Sequence, residues 1–170
     1  MATVSIQLAE RRHLADIPKI ELAAATMFSE ADLPQTIRHR VTPVSALEEA
    51  LKAQRLWVAG DGAEVVGFAA AGIVDGAAYI DEIDVLPEFG RRGIGTGLVH
   101  TVADWARAEN FSTLTLITFS HLAWNAPFYE KLGFERMISA EHGRELMGLI
   151  EEERRIGIDI TNRVAMRLNL

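Results

Sequence analysis

Ile83-Asp84-Val85-Leu86-Pro87-Glu88-Phe89-Gly90-Arg91-Arg92-Gly93-Ile94-Gly95-Thr96-Gly97-Leu98 is the stretch that decides the fold. A β-type run ends at Pro87, a loop rich in arginine and glycine follows, and a helix opens near Gly95. This layout aims consecutive backbone N–H groups, and the positive end of a helix dipole, at one point in space. The occupant suited to such a point is a phosphate group. A turn needs one glycine or two, whereas this loop carries Gly90, Gly93, Gly95 and Gly97. Their missing side chains let a pyrophosphate approach the backbone. The expected donors are the N–H groups of Gly93, Gly95, Thr96 and Gly97, with Arg92 adding charge nearby.

Outward from this loop, strands alternate with helices. Upstream, Thr3–Leu8 alternates as a strand and Leu14–Phe28 has a helical apolar pattern through Leu14, Ile17, Leu22 and Ala25. Phe28–Val41 has no clear period and reads as a loop or broken helix. Thr42-Pro43 reads as an N-cap and first helical position leading into Val44–Ala53. Leu56–Ala59 and Val65–Val74 are strands joined by a Gly60-Asp61-Gly62 hairpin signal, and Gly76 turns the chain into the strand Tyr79–Leu86.

Downstream, Ile94, Leu98, Val102 and Ala106 give the next helix one apolar face. Leu114–Phe119 is a strand. Asn125 caps a short helix, Ala126–Leu132, with Pro127 in its first turn and Gly133 past its end. Strand character resumes over Phe134–Ile138. A charged helix around Arg144–Arg155 and a strand near Arg163–Leu168 close the chain. No repeat, low-complexity tract or linker interrupts it, so residues 1–170 are expected to form a single domain of mixed α/β class.

Composition narrows the function. The chain is 49% hydrophobic and 24% charged, an ordinary globular balance. A net charge of −7 argues against an extended nucleic-acid-binding face and mildly favours a cationic small substrate or a basic segment of another protein; keeping the protein soluble explains the same charge. There are no cysteines, which excludes disulfides, thiolate zinc sites and cysteine nucleophiles. The N-terminus has no basic segment followed by an apolar run, and no apolar run approaches membrane-spanning length. The expected location is the cytoplasm, without membrane or nucleic-acid partners. The histidines show no metal-ligand spacing, so no metal is expected.

Two familiar phosphate-binding motifs fail. A P-loop needs a lysine where Thr96 stands. A dinucleotide-binding loop needs GxGxxG after the first strand, whereas Gly93-Ile94-Gly95-Thr96-Gly97 is GxGxG and lies mid-chain. Arg92-Gly93-Ile94-Gly95-Thr96-Gly97 instead matches the R/Q-x-x-G-x-G/A signature of the GNAT superfamily of N-acetyltransferases. The lead-in Tyr79-Ile80-Asp81-Glu82-Ile83-Asp84-Val85-Leu86-Pro87-Glu88-Phe89 resembles that superfamily too. So does Asn125-Ala126-Pro127-Phe128-Tyr129-Glu130-Lys131-Leu132-Gly133-Phe134, its second hallmark. The resemblance spans at least Leu56–Ile138.

The resemblance implies a central, mixed but largely antiparallel twisted sheet of about seven strands with helices on both faces. A β-bulge near Tyr79–Val85 would splay this sheet to admit the pantetheine arm of acetyl-CoA, the cosubstrate. The residues allow such a bulge: Ile80 and Ile83 are both apolar but of opposite parity, while Ile83 and Val85 share a face. A strand buried on both faces would explain the same residues. By resemblance, the cofactor is held by Val85, with Ile83 a second candidate, through main-chain atoms, by Arg92, Gly93, Ile94, Gly95, Thr96 and Gly97, and by Asn125.

The implied reaction is direct attack of a primary amine, of a small molecule or a protein, on the acetyl thioester. It needs a deprotonated amine and a proton for the departing sulfur. Tyr129 stands where the superfamily often places its general acid; packing is the alternative role. Glu82 aligns best with a base drawn from the strand. Asp84 shares its face, so the two carboxylates would raise each other's pKa; both are equally explained as solvated residues. Asp81 is expected to point the other way. His121 is a further candidate base, as is water. Glu30 and Asp32 could steer an amine or merely sit in an exposed loop. A non-catalytic acyl-CoA-binding or regulatory module on the same fold is the alternative reading. Nucleotide binding is a third, and a homodimer is suggested by analogy alone.

Overall fold

The computed structural model describes residues 4–61 and 64–170. Twelve regular elements follow the chain: β1 (Ser5–Leu8), α1 (Ile17–Ala25), α2 (Val44–Lys52), β2 (Leu56–Asp61), β3 (Glu64–Val74), β4 (Ala77–Val85), α3 (Ile94–Ala108), β5 (Thr113–Phe119), α4 (Ala126–Lys131), β6 (Glu135–Arg136), α5 (Arg144–Arg155) and β7 (Arg163–Asn169). The seven strands form one sheet in the order β1-β2-β3-β4-β5-β7-β6. Every neighbouring pair is antiparallel except β4–β5. This is the mixed, largely antiparallel sheet that the resemblance implied. The expected Gly60-Asp61-Gly62 turn lies partly outside the described residues; Gly60 and Asp61 extend β2.

Two apolar layers sandwich the sheet. On one face, α3 sets Ile94, Leu98, Val102 and Ala106 against Ala69, Ala71, Ala78 and Ile80 of the sheet. On the other, Ile17 and Ile20 of α1 and Leu47 of α2 pack on Leu56, Val58, Phe68 and Ala70. The stripe of α1 is therefore Ile17, Ile20 and Ala24. Leu22, read as part of it, is 40% exposed. The expected Leu14–Phe28 helix divides into a 3-10 turn, Arg11–Ala15, and α1. Pro18 has no amide to donate and blocks backward continuation of the α-helix, so α1 begins at Ile17.

The sheet does not close evenly. In the β3–β4 ladder Ala70 pairs with Glu82, but the next residue, Ala71, pairs with Ile80. Asp81 is the extra residue of a β-bulge, which confirms the bulge expected in this strand. The parallel β4–β5 ladder holds only Ala78–Leu114 and Tyr79–Thr115 and ends where the bulge begins. Beyond it, Ile83–Val85 pair on the β3 side alone, while β5 continues to Phe119 against β7. The two central strands part, leaving an opening in the middle of the sheet.

Candidate active site

The glycine loop stands beside this opening. After β4, a 3-10 turn at Pro87–Phe89 leads through Arg91 (φ 58°) to Gly93 (φ 82°), the N-cap of α3. Gly93 needs its left-handed backbone, and the space where its side chain would stand is open. The amides of Ile94, Gly95 and Thr96 begin the helix without intrahelical acceptors and lie at the positive end of its dipole. The side chain of Ile94 belongs to the core; only its backbone faces the loop.

Gly97 departs from expectation. Its N–H already donates to the carbonyl of Gly93 at 2.9 Å, so it is not a free donor. A Cβ there would meet Cδ1 of Ile6 at 2.7 Å, which makes Gly97 a packing glycine between α3 and β1. Arg92 folds back over the loop, its guanidinium 4.7 Å from the Phe89 ring centroid and donating to the carbonyl of Glu88 at 3.1 Å.

Asn125 lies at the N-cap position of α4 but does not cap it. Its side-chain oxygen instead accepts a 2.6 Å hydrogen bond from the Thr118 hydroxyl, tying α4 to the end of β5. Its free amide hydrogens remain the polar group that it can offer a ligand. Four residues on, the ring of Tyr129 is held edge-on between Phe128 (5.0 Å) and Phe134 (5.5 Å). Tyr129 packs against the α3-side core, yet it feels the charges of Glu82 and Asp84. Burial first, and then those two carboxylates, push its hydroxyl well above the ordinary tyrosine range, and Arg163 opposes them. The hydroxyl therefore keeps its proton at neutral pH.

Glu82 and Asp84 face the α1 side, because their β3 partners Ala70 and Phe68 belong to the α1–α2 core. Asp81 was expected to point away, and the bulge overturns that. Its carboxylate would lie 2.7 Å from a Cβ built on Gly72, a residue that shares its face of β3 with Ala70. Asp81, Glu82 and Asp84 thus crowd one side of the sheet. Glu82 is reached by water from the opening, but the protein around its carboxyl pushes its pKa up to about 7. The charges of Glu21, Asp81 and Glu153 add to that rise, and Arg163 resists it. Burial likewise raises Asp84 well above the carboxylate range, helped by Glu82 and Glu21, and raises Asp81 to about 6 against the pull of Arg55.

Three further residues join this group. Glu21 is buried in α1 and accepts from the amide and hydroxyl of Thr42. Arg163 of β7 forms a two-point pair with Glu153 of α5 and stacks 4.3 Å from the ring centroid of Phe119. A carboxylate inside an apolar helical stripe was the available signal for Glu21. Nothing local marked Arg163 and Glu153.

His121 is not a free loop histidine. Its Nε2 lies 2.8 Å from Oδ1 of Asp32, which also accepts from Ser29. Asp32 is buried and held in this latch, and Glu30 accepts from the Gln35 amide. A separate groove of about 540 Å³, bordered by Trp57, Trp105 and Phe111, contains none of the candidate residues.

A sheet parted at a bulge, with a helix N-terminus beside the gap, defines a fold suited to a long phosphorylated thioester. The sequence model of the Acetyltransferase (GNAT) family matches residues 23–134, and the chain belongs to that family. Acetyl-CoA is its cosubstrate and it is an acyltransferase. The chemistry of these groups suits that molecule: the first-turn amides of Ile94–Thr96 are donors of the kind a pyrophosphate takes, and the edge of Ile83–Val85 turned from β3 is one that an amide-bearing arm could pair with.

Solved structures agree on the fold. A Staphylococcus aureus acetyltransferase of the GNAT family superposes with a TM-score of 0.75 at 14% identity, covering 99% of each chain. The Mycobacterium tuberculosis protein Rv2747, solved in complex with CoA, gives 0.70 at 21% identity over 98% of this chain and 99% of that one. An N-acetylglutamate synthase from Neisseria gonorrhoeae, complexed with coenzyme A and N-acetyl-glutamate, gives 0.71 at 20% identity; it matches all of this chain but 36% of its own. No helix among the described residues is long and apolar enough to cross a membrane.

Proposed function

We propose that residues 1–170 act as one N-acetyltransferase domain that moves the acetyl group of acetyl-CoA to a primary amine by direct attack. The observation that carries this reading is the parting of β4 from β5 at the bulge, beside the N-terminus of α3, with the charges of Glu82 and Asp84 felt at the Tyr129 hydroxyl. The N–H groups of Ile94, Gly95 and Thr96 would hold the pyrophosphate, with Arg92 adding charge. Main-chain groups of Val85 and the amide of Asn125 would line the arm. Acetyl-CoA supplies an acyl carbon activated by its thioester.

Glu82 is the proposed base. With its carboxyl pushed up to about 7, it can take a proton from the acceptor's ammonium, directly or through a water in the opening. The freed amine forms the new C–N bond as the C–S bond breaks, and the second proton that its nitrogen must lose to become an amide passes to solvent. Tyr129, which keeps its proton at neutral pH, donates it to the departing sulfur, and solvent restores it. The acceptor is an amine of a small molecule or of a protein. Amino-acid acetylation by the Neisseria relative and alanine acetylation on ribosomal protein S18 by an Escherichia coli relative both support nitrogen as the atom acetylated.

Tyr129→Phe tests the reading. Turnover should fall on the order of 100-fold or more, the usual worth of a general acid, while acetyl-CoA affinity stays within a factor of about 3. Equal loss of both would make Tyr129 a cofactor contact. Cofactor binding without transfer to any amine of a broad panel, by the wild type, would favour a non-catalytic acyl-CoA-binding module.

A further inference from the structure

Glu21 occupies a place that packing alone would give to an apolar residue. It follows Ile17 by one helical turn in α1, between Ile20 and Ala24, all of them buried. That face rests on Phe68 and Ala70 of β3, the residues paired across the ladder with Asp84 and Glu82. The carboxylate is therefore set in the layer that faces the proposed base.

It is also held still. Both oxygens accept from the amide of Thr42, and one accepts from the Thr42 hydroxyl. Thr42 was expected to cap α2. The N-cap is Pro43, which cannot offer a side-chain acceptor, and Thr42 turns to Glu21 instead. A buried acid is costly unless its oxygens are satisfied, and this clamp satisfies them. A leucine would fill the same space but leave the Thr42 amide and hydroxyl without this acceptor, so the acid also anchors Thr42.

We infer that Glu21 is a positioning residue, whose Thr42-clamped carboxylate fixes a negative charge against Glu82 and so sets when the base can take a proton. The inference rests on the reading of Glu82 as base. It extends that reading to a residue with no contact to the proposed cofactor site. The other groups facing Glu82 are Tyr79, Asp81 and Asp84 on its own strand, Glu153 of α5, Arg163 of β7 and Tyr129 of α4. After the desolvation imposed by the surrounding protein, Glu21 is the charge that does most to hold the Glu82 proton. Without it, Arg163 would act with one less opponent.

Side-chain carboxyl NMR on protein labelled at glutamate Cδ tests this without any acceptor. The wild type should show one glutamate titrating near pH 7, and Glu82→Gln should abolish that resonance, which assigns it. Glu21→Gln should move its midpoint toward the ordinary glutamate range by at least about half a unit, whereas Glu21→Asp, which keeps the charge, should restore most of it. Thr42→Val loosens the clamp from the other side and should give a smaller shift in the same direction, even if Glu21→Gln does not fold. A Glu82 midpoint unmoved by the loss of the Glu21 charge, or by the loss of its clamp, overturns the inference. Unchanged turnover in Glu82→Gln would instead remove the base role and leave the measured coupling standing.

Discussion

At the scale of single residues, chemistry here depends on neighbours far apart in the chain. Glu82 is an ordinary strand acid in sequence. Its altered proton affinity comes from the protein packed around its carboxyl and from Glu21, Glu153 and Arg163, which α1, α5 and β7 deliver. If Glu82 is the base, activity requires its deprotonated form. The rate constant kcat/KM should therefore rise about tenfold per pH unit below 7 and level off above it, and Glu82→Gln should lose that acid limb; a pH–rate profile checks both. The pairing of Glu82 with Asp84 on one face was legible, because i and i+2 share a face in a regular strand. Asp81 was misread because a bulge breaks that alternation. Glu21 was overlooked because the helical stripe was drawn through Leu22, which is exposed.

At the scale of elements, local signals located helices better than they explained them. Pro43 and Asn125 mark the starts of α2 and α4, yet neither start is capped by its side chain. Thr42 and Asn125 serve tertiary partners, Glu21 and Thr118, that no local motif names. The glycines of the loop divide in the same way. Gly97 is spent on packing, whereas Gly95 faces Phe128, whose Cζ would lie an ordinary 3.6 Å from an added Cβ. Gly95→Ala should therefore stabilise α3 by up to about 1 kcal/mol, since alanine is the better helix former. It should also weaken acetyl-CoA binding roughly tenfold by crowding the first-turn amides. Calorimetric unfolding and titration together separate the two effects.

A second element-level device joins distant parts of the chain. Asp75, in the β3–β4 turn, accepts from the amides of Glu145 and Leu146 and so caps α5 from outside. The Glu145 carboxylate accepts from the Asp75 amide in return. A Cβ on Gly143 would lie 2.2 Å from the Asp75 carboxyl carbon, so the cap needs glycine there. Asp75→Ala should cost about 1 kcal/mol, a drop of roughly 2–4 °C in melting temperature. Because α5 carries Glu153, the acid limb of Glu82 should also shift slightly.

At the scale of the molecule, the parted sheet is what turns two motifs into one site. Tyr129 belongs to the α3-side layer and Glu82 to the α1-side layer. In a continuous sheet the strands would separate them. The strand–loop–helix order, the bulge and the second hallmark were legible because each is written in contiguous residues. The sheet order was not, since β7 inserts between β5 and β6 through contacts that no local pattern encodes.

The central claim is that acetyl-CoA lies in this opening, with its pyrophosphate on the first turn of α3. Amide hydrogen exchange with and without acetyl-CoA tests it most directly. Bound acetyl-CoA should slow exchange at Ile94, Gly95 and Thr96 and along Ile83–Val85, with little change at Gly97, whose amide is already bonded. Protection confined to the groove around Trp57 and Trp105, or no protection at saturating acetyl-CoA, would contradict it.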